Sequence, residues 1–287
     1  MSDHASVLDA PRNALPPGVV SPPLPVPKSS KSSSFRLARR GPVKLLVPVV
    51  LVLGWQLWST QSSSDGIAFP APADVVRGFG ELWSAGAIQE ALPVSLTRAG
   101  VGLLIGGALG LVFGVLNGLS RLFEDLFDLP LQVARVVPFI ALLPLLTITV
   151  GIGEESKITL IAIACLFPVY INTFSAVRDV DRKVVEAGKV FGLNRFQSSI
   201  QIIMPMALPG ILVGIRYSMG VSLLALIVAE QINANAGVGY IIWLAQNSVR
   251  IDLIITGIII YALLGVLVDL VMKGIERAAM PWKRAEK

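Results

Sequence analysis

The sequence predicts an all-α polytopic membrane protein with six transmembrane helices, and three observations carry that expectation. Hydrophobic residues fill 54% of the 287 positions and charged residues only 15%, whereas soluble domains run nearer a quarter charged. Apolar runs of roughly twenty residues, the length that crosses a bilayer as a helix, recur along the chain. Lysine and arginine collect between those runs on alternate sides, the pattern of the positive-inside rule.

Residues 1–35 hold Pro11, Pro16, Pro17, Pro22, Pro23, Pro25 and Pro27, then serines from Ser29 to Ser34 broken only by Lys31. Such a segment cannot bury a core and reads as a disordered cytoplasmic tail. Arg36, Arg39, Arg40 and Lys44 then precede the first apolar run, a layout like that of a secretory signal. The tail is too long for a signal, so this is read as an uncleaved start-anchor. Residues 36–94 supply the first transmembrane helix and an outer segment, where Pro70-Ala71-Pro72 leads into a short interfacial helix with Trp83 near the surface. Residues 95–280 form the transmembrane core, with a cytoplasmic loop at 178–205, and 281–287 are a cytoplasmic C-terminal tail.

The six spans fall at about 44–60, 95–118, 129–150, 157–177, 206–229 and 252–273. With both termini inside, eighteen lysines and arginines lie on the cytoplasmic side. Three lie outside (Arg77, Lys157 and Arg250), and Arg98, Arg135 and Arg216 fall within spans. That asymmetry decides the orientation.

The second span carries Gly102, Gly106, Gly110, Gly114 and Gly118, a stripe that lets another helix approach closely. It is either a seam between two copies or packing within one chain. The third span is interrupted by Pro138 and Pro144. Arg135 there either snorkels to the interface or lines a pathway. Arg216 in the fifth span sits deeper and faces the interior or a cavity. That span ends at Glu230, Gln231 and Asn233, followed by Gly237 to Trp243, too short to span and read as an interfacial or re-entrant helix. Arg216, Arg135, Glu230 and Asn233 are the candidate substrate-pathway residues.

Several chemistries are excluded. Cys165 is the one cysteine and His4 the one histidine, so neither a disulfide, a metal cluster nor a Ser-His pair is available. No G-x-x-x-x-G-K-S/T phosphate loop occurs, so the chain does not hold ATP in that manner. The formal charge of +5 lies beside spans rather than in a basic stripe with aromatics, which argues against nucleic acid. The chain reads as a non-enzyme without a cofactor of its own.

The loop at 178–205 is the polar interruption around which the rest is arranged. Val184, Ala187, Gly188 and Phe191 share one helical face, Gly192 stops that helix, and Asn194 caps a second one. By pattern alone this is either a well-packed loop or a coupling element. Glu186-Ala187, Gly192 six residues after the Glu, Ile202 and Pro205 match the EAA signature, with Gly188 and Met204 at the two positions that depart from it. On these residues the chain resembles the membrane subunits of binding-protein-dependent ABC importers. Phe167 to Thr173 and Ala229 to Tyr240 are most similar to the sulfonate, taurine and nitrate branch, above all to aliphatic sulfonate permeases.

The resemblance implies the type I ABC importer permease fold and a bacterial cytoplasmic (inner) membrane location. It implies a cytoplasmic ABC ATPase dimer holding the ATP and Mg, an extracytoplasmic solute-binding protein and a second permease copy. By the same analogy Glu186, Ala187, Gly188, Phe191, Gly192 and Pro205 dock the ATPase. The cargo implied is an aliphatic sulfonate, with taurine, nitrate or another small solute as alternatives. From a different class, an ion-gradient-driven secondary transporter remains the competing reading.

Overall fold

The computed structural model describes residues 41–61, 69–232 and 234–281, and among these the backbone is helical wherever an apolar run occurs, with no strand. The helices are α1 (Gly41–Gln61), α2 (Pro72–Ser84), α3 (Ala87–Leu119), α4 (Arg121–Val136), α5 (Leu142–Thr149), α6 (Glu154–Arg178), α7 (Arg182–Val190), α8 (Arg195–Ser198), α9 (Met204–Gln231), α10 (Val238–Asn247) and α11 (Ile251–Ala279). The chain divides into two units after Val50. The first contributes only the N-terminal half of α1 to the described residues, and the second holds all the helices from α2 to α11. The proline-rich tail, the C-terminal tail from 282 and Asn233 lie outside the described residues.

Four helices are long and apolar enough to cross a membrane: α3, α6, α9 with its N-terminal extension from Arg195, and α11. The pair α4 and α5 makes a fifth, bent by 79°. The first expected span corresponds to α1, a 21-residue helix that holds the apolar stretch Leu46–Ser59. The expected spans thus map in order onto α1, α3, α4–α5, α6, α9 and α11.

The glycine stripe of α3 is used inside the chain. A Cβ at Gly102 would come within 2.5 Å of Ile161 Cγ2, and one at Gly114 within 2.6 Å of Thr173 Cβ. At Gly106 and Gly110 it would strike the α6 carbonyls of Ala162 and Leu166. Side chains can rotate away from such a contact; a helix backbone cannot. Lipid supplies no hydrophobic drive between helices, so this close approach and its dispersion contacts hold α3 to α6. Of the two readings of the stripe, packing within one subunit is the one observed. α9 closes the core against the other side of α6, where Ser218 Oγ donates to the Cys165 carbonyl at 2.9 Å and Cys165 is fully buried.

Two expected boundaries are corrected. Residues 119–128, left between the second and third spans, are helical from Arg121, and the break falls at Val137-Pro138, at the first of the two expected prolines. Pro138 has no N–H to donate and pushes the residue before it out of the helical region, and Val137 is extended at φ −67°, ψ 122°. Pro144 sits in the first turn of α5 and breaks nothing.

The second correction concerns Pro205, which the pattern places at the end of the loop, before the membrane resumes. The helix instead runs through it, from Arg195 to Gln231. A π-helical turn at Ser199–Ile203 widens the coil just ahead, with the Met204 N–H donating five residues back to the Ser199 carbonyl. That extra residue relieves the clash between a proline ring and the carbonyl one turn earlier.

On the other side of the molecule α2 lies against α11, with the Thr256 hydroxyl 3.2 Å from the Val75 carbonyl. Arg250, between α10 and α11, pairs with Glu81 of α2 and with Asp252. Hydrogen bonds to Asp252 first, and then to Glu81, raise its pKa still further above the ordinary arginine value.

Candidate functional site

The candidate at the 178–205 loop is built from two helix ends. Asp181 caps α7 by accepting from the Lys183 N–H at 2.9 Å. At the other end Gly192 takes φ +87°, the left-handed conformation that L side chains avoid. The Gly192 N–H bonds the Lys189 carbonyl at 2.9 Å and the Leu193 N–H reaches the Gly188 carbonyl at 3.1 Å, a complete Schellman motif. Asn194 then starts α8 through a reciprocal pair: it accepts from the Gln197 N–H at 2.8 Å, and Gln197 accepts from the Asn194 N–H at 3.0 Å. The helix stop and the second cap thus sit where the spacing predicts them.

The apolar face expected over Val184, Ala187, Gly188 and Phe191 divides. Gly188 alone is buried, pressed against Ile202 and Leu193. A Cβ there would meet the tip of Ile202, a flexible end able to turn aside, so glycine and alanine are both compatible with the site. Val184, Ala187 and Phe191 stay exposed, joined by Val190, Phe196 and Ile200. Phe191 is 87% exposed and Phe196 72%. A run of exposed apolar side chains on a rigid, doubly capped turn has the character of a surface awaiting a partner. Glu186 is exposed and lines a groove of about 420 Å³ with Asn117, Arg178, Arg182 and Lys189; Pro205 is exposed on the helix that follows.

The pathway candidates separate widely. Arg216 is 43% exposed and reaches α11, where it pairs with Asp269 at 3.3 Å and Glu276 at 3.2 Å. Arg135 is exposed at the C-terminal end of α4 and makes no ion pair among the described residues. Glu230 departs from its expected place on a pathway wall. It is completely buried, and both of its carboxylate oxygens are taken.

The Glu230 Oε1 atom accepts from Ser95 Oγ at 2.7 Å and Arg98 Nη1 at 2.8 Å. Its Oε2 accepts from the Gly239 N–H at 2.8 Å and the Tyr261 hydroxyl at 3.0 Å. Arg98 continues outward, donating to the Ala236 carbonyl at 2.6 Å and forking onto Glu154 at 2.5 and 2.7 Å. Lys157 also donates to Glu154, at 3.2 Å. The Val238 N–H donates to Ser95 Oγ at 3.0 Å. One network therefore ties α3, α6, α9 and α11 to the start of α10. A carboxylate is tolerated in an apolar interior when donors satisfy its lone pairs and a cation offsets its charge.

Sequence reasoning counts Arg98 and Lys157 only as charges and misses this network. The available signal is Arg98 itself: an arginine inside an apolar run requires an acidic partner, and Glu230 at the end of the fifth span is within reach of that rule.

The chain matches the model of the binding-protein-dependent transport system inner membrane component over residues 106–280. Proteins named for aliphatic sulfonates transport are similar along most of their length. The permease protein of Bacillus subtilis (strain 168) is 39% identical over 241 residues, covering 84% of this chain and 87% of its own. That of Escherichia coli (strain K12) is 42% identical over 239 residues, covering 83% and 91%. Among solved structures, the inward-facing MetNI methionine ABC transporter superposes with a TM-score of 0.56 at 19% identity, covering 72% of this chain and 97% of that one. It shows a shared fold. The chain therefore belongs to the family of inner membrane components of binding-protein-dependent transport systems, and its fold is that of a type I ABC importer permease.

Proposed function

We propose that this chain is the permease subunit of an ATP-driven importer for aliphatic sulfonates, and that its loop at 178–205 docks the ATPase. The observation that carries the docking is the loop geometry. Schellman-capped α7 and box-capped α8 hold Phe191 and Phe196 outward instead of folding them under the chain. Glu186, Ala187, Gly188, Gly192 and Pro205 build or flank that turn. A short capped helix transmits displacement well, and α8 continues without a break into α9. Movement of the loop is therefore delivered to a core span directly.

Membership of the family calls for an ATPase and a solute-binding protein. In this reading the ATPase forms a dimer that holds the ATP and Mg, two permease copies make the pore, and both termini face the cytoplasm. The eighteen-to-three distribution of lysine and arginine supports that orientation. The sulfonate assignment draws on the two relatives named for that cargo. Taurine and nitrate are the nearest alternatives. Arg135, which makes no ion pair among the described residues, supplies positive potential towards the inner end of the route, which suits an anionic cargo. Arg216 offers a guanidinium there whose charge Asp269 and Glu276 offset.

Two measurements test this. Phe191→Asp with Phe196→Asp is expected to reach the membrane in normal amount yet lose co-purification of the ATPase by at least tenfold. Undiminished co-purification overturns the docking surface. A deletion strain supplied with alkanesulfonate, taurine or nitrate as sole sulfur or nitrogen source is expected to fail on alkanesulfonate, and to regain growth with the intact gene. Failure only on taurine or nitrate transfers the assignment to that solute.

A further inference from the structure

Two buried cations share a single half-exposed carboxylate at the start of α6. Arg98 is 3% exposed and Lys157 4%, yet the Glu154 side chain they both hold is 53% exposed. The other end of Arg98 is committed inward, to Glu230 and the Ala236 carbonyl. Among the described residues Glu154 is the one polar side chain to which Lys157 donates. Glu230 offsets one of the two positive charges, and Glu154 offsets the other.

Beside this cluster opens a cavity of about 590 Å³, lined by Thr97, Arg98, Glu154, Ile158, Asn235 and Ala236. Its walls are largely apolar. Arg98 and Glu154 line it together with two side chains, Thr97 and Asn235, able to donate hydrogen bonds, and Lys157 lies behind Glu154 rather than in the lining. On the proposed orientation the cavity is at the extracytoplasmic end. A solute arriving from outside meets it before the middle of the membrane.

The charge count makes Glu154 exchangeable. If its side chain turns into solvent, Arg98 and Lys157 are left with one uncompensated positive charge, and the arginine fork loses the partner it holds bidentately. A monoanion with several oxygens on one centre restores both. We propose that Arg98 and Lys157 form an entry site for the sulfonate headgroup, and that Glu154 occupies it as an internal stand-in until the anion displaces it. Two sulfonate oxygens take the places of the Glu154 oxygens on the fork, the third faces Lys157, and the alkyl chain lies along Ile158 and the apolar wall. Because one monoanion replaces another, the buried cations are never left bare during entry. Binding is correspondingly weak, which suits a site that must release its cargo onward.

This inference rests on the anionic cargo proposed above, and its test separates the two. The complete importer, permease with ATPase, is placed in lipid nanodiscs without binding protein. Equilibrium binding of radiolabelled ethanesulfonate is then measured for the wild type, Glu154→Gln, Glu154→Gln with Lys157→Met, and Glu155→Gln. Glu154→Gln removes the internal competitor and is expected to bind at least tenfold more tightly. Adding Lys157→Met is expected to cancel most of that gain. Glu155→Gln, an exposed acid next in sequence that does not line the cavity, is expected to match the wild type.

Equal affinity in wild type and Glu154→Gln, in complexes whose ATPase activity shows them assembled, overturns the site. So does an equal gain in Glu155→Gln, which reports a general charge effect. As a readout independent of trapping, ethanesulfonate is expected to raise the thermal midpoint of Glu154→Gln more than that of the wild type; an equal rise in both overturns the stand-in. Nitrate and taurine are measured in parallel. A tenfold gain for nitrate with none for ethanesulfonate supports an oxyanion site and overturns the sulfonate assignment.

Discussion

The loop at 178–205 and the buried network use polar and apolar residues in opposite senses. At the loop, local hydrogen bonds between residues two to five apart hold a turn rigid while its phenylalanines stay exposed. In the network, a glutamate and an arginine from helices 132 positions apart are buried, and nearly every donor and acceptor is used. One region is ordered with its apolar side chains left outward. The other is ordered by its own partners. The contrast is also one of attachment: the loop runs without a break into α9, while the network clamps the far end of that same helix to α3, α11 and the start of α10.

Removing the glutamate from the network has the largest expected effect. Glu230→Ala leaves the Arg98 charge with one carboxylate in place of two and strips acceptors from Ser95, Gly239 and Tyr261. Breaking a buried pair by deleting one partner costs about 3–5 kcal/mol. Thermal unfolding of the purified permease should show a loss of that order, with reduced yield in the membrane. Glu230→Gln should lose less. It keeps an oxygen for Ser95 and Arg98, but its amide N–H faces the Gly239 N–H, two donors opposed. A stability unchanged in Glu230→Ala would mean that the clamp on α10 is held by apolar packing through Val238 and Ile241 instead.

Legibility in the sequence follows the range of the interactions. The helical spans rest on runs of apolar residues, and the loop on signals no more than six residues apart, so both can be read along the chain. Gly192 and Asn194 are the clearest cases, because a left-handed stop and a capping box are written in neighbouring residues. The network has no such local trace. Ser95, Arg98, Glu154, Glu230 and Tyr261 become neighbours only after α3, α6, α9 and α11 pack. The break in the third span is legible as a proline, but its start is not. Arg121, Glu124, Asp125 and Asp128 have the composition of a polar loop, whereas they lie on a helix, with Glu124 paired to Arg178 and Asp128 accepting from the Tyr170 hydroxyl at 3.2 Å.

A smaller effect is expected at the helix stop of the loop. Gly192→Ala meets no steric obstacle, since nothing lies within 4 Å of the added Cβ. Its cost is conformational, because a left-handed residue other than glycine is unfavourable by roughly 1–2 kcal/mol. Global unfolding should hardly register it. Hydrogen exchange at the Gly192 and Leu193 amides should, since their bonds to Lys189 and Gly188 depend on that conformation. Unchanged protection at both amides would show that the loop does not rely on the glycine.

The smallest effect belongs to a third ionic group that lies between these extremes. Arg216 pairs with Asp269 and Glu276, but all three side chains are between a quarter and half exposed, and Asp269 has Lys273 as a second partner at 2.5 Å. Half-exposed pairs of this kind contribute about 0–1 kcal/mol, because the surroundings screen the charges and the long side chains lose freedom in pairing. Arg216→Ala should therefore shift unfolding by less than about 1 kcal/mol, far below Glu230→Ala. The contrast gives the variant its use. With stability nearly unchanged, a fall in sulfonate uptake reports a role for the guanidinium in the route itself, and uptake at the wild-type rate removes Arg216 from it.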